Sequence, residues 1–230
     1  NKMFVSDRRR RTEMEVNMIG LIKKDLYYLM TSWKVIVLSI VIIAWFATTK
    51  NIGAIIITVL PTFFGLSILG CIQQDAQKKW YEYYKILPIV PNQIVASRYL
   101  AYLCFVGIGF IFAAIYGYGV QFSLGIESLG KNFTMMQAFQ LGGTLALGFA
   151  SFFIPATYYN KGEKMEVSMI ISSFFSFGAI YLASKLLKFI GVNLMDYSHI
   201  IIQILFVISI IAFIISWLIS NLIYNKKRYN

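Results

Sequence analysis

Apolar residues along this chain come in long runs and do not alternate with polar ones. Six runs, at about residues 31–49, 52–72, 99–122, 135–158, 167–187 and 200–224, can be set against the roughly 20 apolar residues that a membrane-spanning helix needs. Continuous runs predict helices, because a membrane barrel would show period-two alternation instead. In lipid, helices and closed barrels are the structures that satisfy their own backbone. The pattern therefore predicts an all-α integral membrane protein with residues 31–224 as a single six-span domain. Lys34 lies near the start of the first run and has to reach back to the interface.

The segments between the runs carry their own patterns. Over residues 17–33, Ile19, Ile22, Leu26, Leu29, Met30 and Trp33 follow helical spacing on one face, with Lys23, Lys24 and Asp25 off that stripe. This predicts an interfacial amphipathic helix lying on the inner leaflet; the alternative is an inward extension of the first span. Residues 1–16 form a basic arm that could add an anionic-lipid contact of about 1 kcal/mol per basic residue. Residues 225–230 form a basic tail.

In the stretch 75–100, Asp75 is placed to cap a short helix and Pro88 to break it. Between them Trp80, Tyr83, Tyr84 and Leu87 share a face, while Lys78, Lys79, Glu82 and Lys85 lie around it. Asn92 would cap the next helix, with Arg98 at its inner interface. The stretch reads as a short amphipathic helix tied to two spans, either an anchor or a docking rod.

Charge sets the expected orientation. If the N-terminus is cytoplasmic, seventeen of the 21 Lys and Arg residues fall on the inner side, as the positive-inside rule requires. Both termini are then cytoplasmic. The net charge of +11 follows from topology and does not point to nucleic acid as a partner. The mean hydropathy of +0.68 agrees with a chain lying mostly in lipid. No cleaved secretory signal is expected. Cys71 and Cys104 fall in or beside apolar runs and read as packing residues.

Catalytic chemistry has little to draw on. No phosphate-binding G-x-x-x-x-G-K-[ST] loop is present, and Gly65 and Gly70, which share its glycine spacing, sit in an apolar run. The one histidine, His199, has no companion ligands at metal spacing. No Asp, Glu, Lys or Arg lies in the middle of a run, so no coupling-ion site is expected. Polar depth is limited to groups such as Gln137, Gln140, Thr144, Ser172, Ser173 and Ser176. The chain is expected to be no enzyme, with no catalytic, cofactor or metal site, and any energy source belongs to a partner. Gly142, Ala146 and Ala150 recur every four residues, a spacing that suits either internal helix packing or a dimer seam. Pro61 should kink the second span.

Three stretches resemble one family. Asp75, Trp80, Tyr84, Leu87, Pro88, Gln93, Ile94, Val95, Arg98, Tyr99 and Leu100 stand in the order seen between spans two and three of ABC-2 type transporter permeases of Gram-positive bacteria. "YYNKGEKMEV" (residues 158–167) is similar to their loop between spans four and five, and "MIGLIKKDLYYL" (residues 18–29) to their start. Val90-Pro91-Asn92 departs from the Ser-Arg pair common in that family. The small six-span form looks most like the permeases that export amphipathic peptides of the phenol-soluble modulin type. The resemblance implies a homodimeric permease of the bacterial cytoplasmic membrane. A separate ABC ATPase that binds ATP and Mg would dock on Asp75, Lys78, Trp80, Glu82, Tyr83, Tyr84 and Leu87, with Glu163 and Lys164 as a second contact. An antibiotic, lantibiotic or lipid is the alternative cargo; a non-transporting membrane scaffold or regulator is the alternative of another class.

Overall fold

The computed structural model describes residues 19–27, 30, 34, 53–78, 80, 90–124, 134–160, 165–189 and 198–228. Every regular element among them is a helix. Residues 19–27 form α1. The others are α2 (Gly53–Leu66), α3 (Ile68–Gln77), α4 (Pro91–Leu124), α5 (Met135–Tyr159), α6 (Met165–Phe189) and α7 (Ser198–Arg228). Among the described residues, four segments are long and apolar enough to cross a membrane: Gly53–Gln77, Pro91–Ser123, Met135–Tyr159 and Ile200–Lys226. They match the second, third, fourth and sixth runs. The fifth run folds as α6, and within it Met165–Gly178 is an apolar stretch among the described residues. The first run lies outside the described residues, apart from Lys34, which is helical and exposed.

Local chemistry explains where these helices begin and break. Pro61 sits inside α2, where it supplies no N–H to the helix. Regular bonding gives way at Ser67, a turn residue whose N–H reaches the Phe64 carbonyl at 3.0 Å, the shorter i→i−3 connection that often marks a joint. α4 opens on Pro91, the first-turn position that suits a residue without an N–H. Val90 precedes it, and the Val90 N–H donates to Gln93 Oε1 at 3.4 Å. Asn92 is therefore inside the first turn and not the cap; its Oδ1 accepts from Asn225 Nδ2 of α7 at 3.4 Å. At α5, Thr134 and Gln137 form a reciprocal capping box. Gln137 thus belongs to the helix mouth and not to the depth of the span.

The bundle is organised around α5, which packs against α7, α2, α6 and α4, while α2 also pairs with α4 and α4 with α7. Small residues set these approaches. A Cβ on Gly142 would stand 2.8 Å from the Thr58 carbonyl oxygen, and one on Gly109 would stand 2.7 Å from Pro61 Cα. Ala146 and Ala150 are fully buried. The Gly142, Ala146, Ala150 stripe is thus used inside the chain. On α6 the inward stripe is Ser168, Ser172 and Ser176, all buried. Ser172 Oγ donates to its own helix at the Ser168 carbonyl (2.6 Å), and Thr144 Oγ1 does the same to Gln140 (2.8 Å), so these polar groups are satisfied locally in apolar surroundings. Aromatic rings fill the remaining space: Tyr102, Phe105 and Phe153 are fully buried, and Phe64 stacks on Phe112 at 5.2 Å.

The outside is apolar too. Ile111, Ile115 and Phe122 on α4, Phe174 and Phe177 on α6, and Ile211, Ile215 and Leu222 on α7 are exposed. Contiguous apolar surface of this kind marks contact with a partner or with lipid. On helices of spanning length it fits the hydrocarbon of a bilayer.

Candidate functional site

One end of the bundle holds charge. α1 brings Lys24 and Asp25, the last turn of α3 brings Asp75, and the second turn of α4 brings Arg98. Arg98 sits between the two carboxylates: Nη1 donates to Asp25 Oδ2 at 2.9 Å and Nη2 donates to Asp75 Oδ2. Lys24 Nζ closes the other side, donating to Asp75 Oδ1 at 2.6 Å and Oδ2 at 2.8 Å. Asp25 and Asp75 are each 3% exposed and Arg98 is 9% exposed. A planar guanidinium suits this position because its fork can serve two acceptors at once, which an ammonium does less well.

Burying ions costs several kcal/mol each unless partners and hydrogen bonds compensate. Here two cations meet two carboxylates, so the cluster is neutral. Compensation is uneven, however. Asp25 Oδ1 accepts no hydrogen bond, and Lys24 Nζ stands 3.7 Å from it. Burial raises the Asp25 pKa above the ordinary carboxylate value, against the pull of Arg98 and Lys24 and with a further push from Asp75. The Cys71 thiol donates to the Asp25 backbone carbonyl at 3.7 Å, adding a contact from α3 to α1.

A second layer extends the network to the other helices. The Tyr99 hydroxyl is within 2.6 Å of Ser216 Oγ and 2.8 Å of Ser220 Oγ on α7. Tyr158 and Tyr224 meet edge to face at 5.5 Å. Lys24 Nζ lies 5.0 Å from the centre of the Trp80 ring, within cation–π range. Trp80, Leu21 and Tyr224 all pack against Ile94. Trp80, beyond the end of α3, is thus held against α1 and α4.

Expected site residues fall into three groups. Asp75 does not begin a helix; it lies within α3 and its carboxylate is turned into the ion network. Lys78 is exposed at the C-terminus of α3, where its N–H bonds Gln74 O at 3.0 Å. Trp80 is half-buried. Glu82, Tyr83, Tyr84, Leu87, Glu163, Lys164 and Trp33 lie outside the described residues, as do Lys79, Lys85 and Pro88. In the interfacial stripe, Ile22 and Leu26 are half-buried, with Leu26 packed on the main core, while Ile19 and Met30 are exposed. Lys24, Asp25 and Arg98 were not among the expected docking residues. One signal marked them: Asp25 is the only acid between Glu15 and Asp75, and a solitary acid beside an apolar stripe calls for a cation.

A family model described as ABC-2 family transporter protein matches residues 20–225. The chain belongs to that family, and with its apolar helices it is a membrane subunit of an ABC transporter. No curated protein and no solved structure matches it.

Proposed function

We propose that this chain is the permease subunit of an ATP-driven exporter that works as a homodimer with six spans per copy. A separate ATPase, carrying ATP and Mg, docks on the inner face. The charged end of the bundle is cytoplasmic in this reading, with both termini there. The observation that carries the proposal is the ion network, which fastens α1, α3 and α4 together at the end of α3. A partner pressing on Lys78, Trp80, Glu82, Tyr83, Tyr84 and Leu87 would move three elements as one body. Asp75 serves from behind, as the buried anchor. Glu163 and Lys164, between α5 and α6, form the second contact.

The cargo is an amphipathic peptide of the phenol-soluble modulin or antimicrobial type. Exposed rings such as Phe174 and Phe177, and the serine-lined contact of α6 on α5, supply surfaces compatible with a helix that is half apolar and half polar. The test uses inside-out vesicles holding the chain and its ATPase. Labelled amphipathic helical peptide should accumulate only with ATP and Mg. Active ATP hydrolysis with no peptide accumulation would move the cargo to an antibiotic, lantibiotic or lipid.

A further inference from the structure

α1 offers two different faces. At ~100° per residue, Leu21 and Asp25 point to one side, and the bundle holds both: Leu21 packs against Ile94, and Asp25 is paired with Arg98. On the opposite side Ile19, Lys23 and Tyr27 fall within an arc of about 80° by the same geometry. Ile19 is 48% exposed and Tyr27 73%, Lys23 is exposed as well, and beyond α1 Met30 and Lys34 are exposed too. Among the described residues neither lysine meets a carboxylate. The acid of this helix, Asp25, has been withdrawn into the ion network, so among the described residues this face presents apolar groups, a tyrosine and a cation. Apolar side chains flanked by Lys and Tyr are what a headgroup boundary accommodates, with the stems in the acyl edge and the ammonium groups at phosphate level.

We infer that this face, together with the exposed Lys34 that follows it, is a binding surface for anionic phospholipid headgroups, with Lys23 and Lys34 as the charge-reading residues. Charge complementarity decides the occupant: a zwitterionic surface gives the lysines no net attraction, whereas each basic residue near an anionic leaflet gains affinity of roughly five-fold. The same helix is fastened through Asp25 to Arg98 and so to the root of the docking segment. Lipid charge would therefore set how firmly α1 holds that root.

The test needs no ATPase, so it can fail without touching the transport reading. The full chain is placed in nanodiscs of phosphatidylcholine alone, or doped with phosphatidylglycerol, and amide exchange is followed in a peptide covering residues 19–27. Exchange should slow with phosphatidylglycerol by roughly five-fold per engaged lysine. The effect should vanish in Lys23→Gln with Lys34→Gln and return in Lys23→Arg with Lys34→Arg. Unchanged exchange in α5 shows that the variants are folded. Equal exchange of the wild-type peptide in both lipids, or a lipid effect that survives in the Gln variant, overturns the assignment.

Discussion

Arg98 is the residue on which the charged end depends, because its two nitrogens hold carboxylates from two different segments. Replacing it with Met leaves Asp25 and Asp75 buried with Lys24 as their remaining described cation. Breaking a buried pair by removing one partner costs about 3–5 kcal/mol, and a loss of that size is expected for Arg98→Met. Asp25→Asn should cost far less. Burial already penalises the Asp25 charge and raises its pKa, and an amide oxygen can still accept from Arg98. Thermal unfolding in detergent checks the order; an Asp25→Asn loss equal to that of Arg98→Met would contradict it. The sign for pH follows. A carboxyl whose folded pKa is raised binds its proton more tightly in the fold, so Asp25 adds stability as pH falls through its folded pKa and loses it as pH rises. In Asp25→Asn that contribution to the pH dependence should disappear.

Between helices, close approach at small residues does much of the packing. Gly109 meets the α2 backbone at Pro61, and Gly142 meets it at Thr58. Neither contact can yield by rotating a side chain, because Pro61 Cα and the Thr58 carbonyl are backbone. Gly109→Ala and Gly142→Ala should each destabilise by about 1–3 kcal/mol through overpacking. Gly119 has open space where its Cβ would stand, so Gly119→Ala should be neutral or slightly stabilising. Equal thermal shifts for all three would refute the backbone-contact account. Much at this scale was legible in the sequence. The second, third, fourth and sixth apolar runs located the four described segments long and apolar enough to cross a membrane, and the four-residue repeat of Gly142, Ala146 and Ala150 marked a seam, although period alone did not say whether the seam faced inward. Helix starts were less legible. Asn92 has a capping side chain, but Pro91 ahead of it fixed the first turn, and Asn92 bonds α7 instead.

Across the whole molecule, the network joins residues that the chain separates widely: Lys24 to Asp75 across 51 positions and Asp25 to Arg98 across 73. No local periodicity encodes such a link, which is why the stretch 75–100 read as a helix capped by Asp75 and not as a root fastened by it. What the sequence did carry was the family resemblance in residues 18–29, 75–100 and 158–167, which agrees with the match over residues 20–225. The central claim is that a partner ATPase docks where this network ends. Its most direct test is purification of the chain from its own membranes in mild detergent, with mass spectrometry of the retained proteins. The account predicts a stoichiometric ABC ATPase, largely lost from Trp80→Ala with Leu87→Ala although that variant still inserts. An intact, folded chain that reproducibly retains no ATPase would contradict it and favour a membrane scaffold.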